Sequence, residues 1–201
     1  MSAAGSRQYH MRKRAEQVEQ TRQRIVDATV RLHTTVGPAN TTISGVAREA
    51  DVTRLTVYRH FPDVESLFVA CSRRWTDLNP PPDPTSWQAI DSIEDRGRHA
   101  LAELYEWYRA CGDELLPIVR DHEAMPPSAR QELAGAFRAF ADGLVAGSGV
   151  RGRARRRLEA TAGLVVSFWT WRTLTSEHGL GTEEAVDLAV RQLACAARPR
   201  G

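Results

Sequence analysis

The stretch "NPPPDPTS", residues 79–86, is the one place where this 201-residue chain cannot be helical. Proline fixes φ near −65° and has no N–H to donate, so Pro80, Pro81, Pro82 and Pro84 exclude both helix and sheet interior. On either side, apolar residues recur three and four positions apart, the period of an α-helix. No stretch shows the two-residue alternation of a half-buried strand. The predicted fold class is therefore all-α, in two parts separated by a proline-rich break.

Before the break the helices are short. Ile25, Ala28, Leu32 and Val36 mark a helix over 18–36, and Gly37-Pro38 ends it. Thr42 is a good N-cap for a second helix whose apolar stripe is Ile43, Val46, Ala47 and Ala50. "DVT" interrupts, "TRLTVYRHF" (53–61) forms a third, and Pro62-Asp63 opens a fourth carrying Leu67, Phe68 and Cys71. After the break the helices lengthen, with candidates at 88–111, near 113–123, and at 128–146, 153–178 and 182–196. The predicted organisation is a flexible basic arm (1–17), a domain of short helices (18–78) and a larger helical domain (79–201).

Several function classes find no support. No apolar run approaches the ~20 residues that cross a bilayer, so no membrane is expected as a partner. The N-terminus has basic residues without the apolar core of a signal peptide. Cys71, Cys111 and Cys195 are few and widely spaced, which suits a reducing cytoplasm. There is no Gly-rich phosphate loop, no Gly-x-Ser-x-Gly and no His-Glu-x-x-His. "DHE" at 121–123 points its side chains in different directions and cannot converge on a metal. The expectation is no metal, no cofactor and no enzyme. Charge points elsewhere: through residue 78 there are 12 Arg and Lys against 8 Asp and Glu, and beyond it 15 against 17. The basic end is the N-terminal one, as in a module that meets a polyanion.

"TRLTVYRHF" spends only Leu55, Val57 and Phe61 on apolar contacts, leaving threonine, arginine, tyrosine and histidine to face out. Two short helices with a tight turn, the second nearly uncommitted to the core, are what a helix-turn-helix needs. Asp51 can supply the positive φ of the turn. A second helix of this kind can enter a major groove, where arginine reads guanine edges and a threonine methyl meets thymine.

The sequence "TTISGVAREADVTRLTVYRHFPDVESLF", residues 41–68, resembles the DNA-binding domain of the tetracycline-repressor (TetR) family of bacterial regulators. The likeness covers about residues 20–78, and the aromatic-basic-aromatic ending "YRHF" is its most specific feature. It implies an N-terminal three-helix helix-turn-helix domain with a linking fourth helix, and a C-terminal helical ligand-binding and dimerisation domain. Thr42 and Ser44 would bond phosphates, Arg54 and Thr56 would face bases with Thr53 and Leu55 beside them, and Tyr58 and His60 would reach the backbone. Asp51 departs from the family's turn glycine, and Val64 stands where a phosphate-binding lysine is frequent.

For the C-terminal half the resemblance implies a ligand cavity among helices that here carry Tyr105, Trp107, Tyr108, Phe137, Phe168 and Trp169. Arg109, His122 or Arg172 would orient a polar end of the ligand. A packed core needs such aromatics too. Leu158, Val165 and Trp169, with Val186, Val190 and Leu193, give the last helices apolar faces for a homodimer interface. The implied function is a cytoplasmic, ligand-responsive repressor that binds a pseudo-palindromic double-stranded operator and is released by a small hydrophobic effector. The alternatives are a helical protein-interaction module that keeps the fold without specific DNA binding, and a small all-helical enzyme.

Overall fold

The computed structural model describes residues 3–198, with side chains from residue 9 onward. No strand occurs among the described residues, and nine α-helices follow one another there. They are α1 (Ala3–Thr35), α2 (Ile43–Glu49), α3 (Arg54–His60), α4 (Val64–Leu78), α5 (Ile93–Arg120), α6 (Pro127–Val145), α7 (Gly152–Val165), α8 (Phe168–Arg172) and α9 (Thr182–Ala197). Contacts divide the chain into two units. One comprises residues up to Asn79 with Asp113–Arg130, and the other comprises Pro80–Gly112 with the residues from Gln131 on. The expected boundary is at 78/79, whereas the contact division falls at 79/80 and also assigns Asp113–Arg130 to the unit of the N-terminal residues.

In the first unit α1 packs against α2 and α4, and α2 against α3. The helical spacing of Ile25, Ala28 and Thr29 buries one face of α1, and Leu67, Phe68 and Cys71 of α4 are buried with it. Each large apolar side chain so removed from water contributes about 1.5–3 kcal/mol. Three helices start on side-chain caps. Thr42 accepts from the Gly45 N–H at 3.0 Å, Thr53 from Thr56 at 3.1 Å and Asp63 from Ser66 at 2.7 Å. The segment 7–14, expected as a flexible arm, continues the helix of α1. Met1 and Ser2 of that arm lie outside the described residues.

A contact that the sequence does not announce closes this unit. The Asp121 carboxylate accepts from the Ala39 N–H at 3.2 Å, and the neighbouring Arg120 donates to the Val36 carbonyl at 3.1 Å. Between them sits Gly37 at φ 91°, a conformation that side chains resist. A Cβ there would fall on the Asp121 carboxylate itself. The adjacent Arg120 guanidinium, bonded at 2.7 Å, holds the Asp121 carboxyl below the usual carboxylate range.

In the second unit α7 packs on α9. The single helix expected over 153–178 is broken. α7 ends at Val165, and Ser167 caps α8 by accepting from the Trp169 N–H at 3.2 Å. The break exposes carbonyls to the interior, and two buried tyrosines of α5 take them: Tyr105 donates to Val165 O at 2.9 Å and Tyr108 to Val166 O at 2.6 Å. After α8 the chain makes one wide π-helical turn, Thr173–Glu177. The helices expected at 88–111 and 113–123 are one helix, α5, which tolerates Pro117 in its interior. Buried Arg96 ties the entry of α5 to the exit of α6, donating to the carbonyls of Ile90 at 2.8 Å and of Ala146.

Candidate nucleic-acid interface

The turn between α2 and α3 depends on Asp51, whose φ of 53° makes it the one non-glycine residue at positive φ among those described. Val57 and Phe61 are buried and dock α3, and the Arg22 guanidinium covers the Phe61 ring at 5.0 Å. The opposite face of α3 is open. Leu55 is 70% exposed and Tyr58 43%, with Thr53, Arg54 and Arg59 also exposed. Leu55 and Tyr58 therefore add apolar surface to this polar, basic face of a seven-residue helix.

Charge on this face is unspent. Glu49 is taken by Arg31 at 2.9 Å, whereas Arg48, Arg54 and Arg59 have no carboxylate partner among the described residues. Thr53 and Thr56 are more constrained than the sequence suggests. Their hydroxyls share a 2.9 Å hydrogen bond, and Thr53 is the cap of α3 rather than a free flanking residue. Thr56 and His60 are half-buried, while Thr42 and Ser44 are exposed at the start of α2. The fold therefore brings Thr42, Ser44, Thr53, Arg54, Leu55, Thr56, Tyr58 and His60 onto α2, α3 and the turn between them.

The other expected sites fare differently. Tyr105, Tyr108 and Phe168 are buried, and both tyrosine hydroxyls are used by backbone carbonyls. These residues pack the core and have no free polar group to offer. Trp107 and Phe137 are half-buried and Trp169 is 46% exposed, so the edge of the aromatic cluster reaches the surface. Arg109 is occupied by Glu106. The Trp171 indole N–H is buried without a partner among the described residues. Of the expected dimer residues, Leu158, Val165, Val186, Val190 and Leu193 are buried within the chain's own core. Those five are covered by the chain itself, and Trp169 is the expected dimer residue left exposed, at 46%. The large apolar side chains exposed in the second unit are Leu164, Trp169 and Leu188, on α7, α8 and α9.

Residues 25–71 match the family of bacterial regulatory proteins of the tetR type. The chain carries a tetR-family regulatory domain. The HTH-type transcriptional regulator SrpR of Pseudomonas putida is 36% identical over 85 residues, 39% of this chain and 40% of that protein. The chain spans from 26% to 63% of the length of the curated relatives it matches. Whole-chain likeness comes from folds. A TetR-like regulator from Rhodococcus sp. RHA1 superimposes with a TM-score of 0.60 at 16% identity, covering 87% of this chain and 93% of that one. Bacillus subtilis FadR, solved with stearoyl-CoA, does so at 0.55 and 13%, covering 87% and 97%. The tetR-family domain thus lies within the first unit, and the helical remainder shares the architecture of these regulators.

Proposed function

We propose that this protein is a sequence-specific DNA-binding transcription regulator, a repressor that acts as a homodimer and lets go of its operator when a small hydrophobic molecule binds the second unit. The observation that carries the DNA-binding part is the α3 face, with Arg54, Leu55, Tyr58 and Arg59 exposed and its arginines unpaired. Arg54 and Thr56 read bases, while Thr42, Ser44, Tyr58 and His60 hold phosphates and set the register. Two such helices related by a two-fold axis fit half-sites about 34–36 Å apart.

The effector reading is supported by the aromatic cluster of the second unit. Trp107, Phe137 and Trp169 form its open edge, and the unpaired Trp171 N–H is a donor for an acceptor on an otherwise apolar ligand. A coupling of about 1–3 kcal/mol between that site and DNA suffices for a switch. Selection of bound sequences from random DNA, followed by anisotropy titration at several salt concentrations, tests the core of the proposal. The expected result is an enriched pseudo-palindrome whose affinity falls steeply with salt. A flat salt response with no enriched sequence favours the protein-interaction module and removes the proposal.

A further inference from the structure

The first unit contains a recess of about 130 Å³ whose lining includes Thr29, His33, Thr42, Val46, Val64 and Leu67. Its floor is buried, with Thr29 and Val46 at 1% exposure and Leu67 at 3%, while Thr42, Val64 and Ala124 at the mouth are exposed. A space of this size admits one six-membered ring, since a dry cavity of about 150 Å³ takes up benzene. It is too small for the drug-sized ligands that occupy roughly 300 Å³ or more.

The polar feature of the floor is His33, 6% exposed. Its Nδ1 lies 3.5 Å from the Cys71 sulfur, and the Cys71 thiol in turn donates to the Phe68 carbonyl at 3.1 Å. A thiol has one hydrogen, so with that hydrogen spent on Phe68 the sulfur can only accept from His33. The tautomer that matches this arrangement has its ring proton on Nδ1, facing the sulfur. Burial keeps the imidazole neutral, lowering its pKa to about 4. A neutral ring protonated on Nδ1 carries a bare lone pair on Nε2, and this atom has no partner among the described residues. His33 lines the recess and Cys71 does not, which leaves the ring edge away from the sulfur as the one available to a bound molecule.

We propose that this recess is a binding site for a small neutral molecule with an apolar ring and one O–H or N–H donor, a phenol in size and chemistry, whose donor is received by His33 Nε2. The apolar walls take the ring, and the His33 acceptor sets its orientation and disfavours donor-free rings. The site is separate from the effector reading above and stands in the DNA-binding unit, with Thr42 at its mouth. Occupancy would therefore bear on a residue assigned to phosphate contact.

The test is a titration of the full chain, uniformly labelled with nitrogen-15, with phenol and separately with fluorobenzene. Phenol should shift His33 Nε2 saturably, together with the amides of Thr29 and Val46, and fluorobenzene should bind at least tenfold more weakly. His33→Leu should lose phenol affinity by tenfold or more. The fluorobenzene comparison needs no variant, so it decides the question even if His33→Leu does not fold. Equal affinity for the two rings, phenol binding that leaves Nε2 unmoved, or no saturable shift because the recess holds water alone would each overturn the proposal.

Discussion

Arg54 stands in the first turn of α3 with no carboxylate beside it, and the helix it occupies is held from the far side by Val57 and Phe61. Removing its side chain should therefore leave the fold intact. If it makes a bidentate guanine contact, Arg54→Ala should cost about 1–3 kcal/mol at the selected operator and relax preference at one base position. Anisotropy against cognate and scrambled sites checks this, and equal loss at both would show a phosphate contact instead. His33 makes a different demand. Its pKa falls from 6.5 to about 4 because the charged ring is poorly solvated where it lies. Between those values the unfolded chain takes up a proton that the folded chain refuses. The stability involved is complete above pH 6.5 and drains away as pH falls toward 4, by up to about 3 kcal/mol. Urea unfolding of the wild type and His33→Leu from pH 7 to 4 should show a steeper loss of stability in the wild type, above all between pH 7 and 5, where carboxyls do not yet titrate. At this scale the sequence was informative where the local backbone decides. Asp51 at positive φ and Thr42 as a cap follow from residue type. The Thr53–Thr56 hydroxyl pair and the His33–Cys71 contact do not, because they depend on side-chain placement across space.

The elements show how far periodicity reaches. α2, α3 and α4 were legible because caps, turn residues and apolar stripes agree over a few positions. The break between α7 and α8 was not, since Leu164, Val165, Val166 and Phe168 continue an apolar helical pattern and give no local signal. What stabilises it comes from far along the chain, in the hydroxyls of Tyr105 and Tyr108. Likewise the sequence suggested a break between 111 and 113, yet α5 runs unbroken through Gly112 and on through Pro117. The packing of α8 on α5 rests on Gly112, where an added Cβ would come within 2.9 Å of the Trp171 ring. Gly112→Ala should therefore destabilise by about 1–3 kcal/mol despite the better helix propensity of alanine. Denaturant midpoints provide the measurement, and a stabilised variant would mean that the indole moves aside freely.

For the whole molecule the point at issue is assembly. The apolar faces of the last helices are where the sequence places a dimer interface, but the sequence could not tell which of those side chains the chain would cover itself. Leu158, Val165, Val186, Val190 and Leu193 are the covered ones. Leu164 and Leu188 remain exposed, at 59% and 39%, and are the better test of a dimer. Leu164→Asp with Leu188→Asp should give a folded monomer by sedimentation, since a charge at an interface must be desolvated. Val186→Asp should instead unfold the chain, because its position is 3% exposed without any partner. A folded dimer from the first variant would place the interface elsewhere. The closure around Gly37 bears on descent rather than on assembly. With the Asp121 carboxylate occupying the space a side chain would need, and φ at 91°, glycine is required there twice over. Trimming Asp121 lifts one of those requirements and leaves the other, so neither position has a neutral single step open to it. Two residues more than eighty positions apart are thereby bound unequally: a lineage that lost the carboxylate would still need the glycine for its φ.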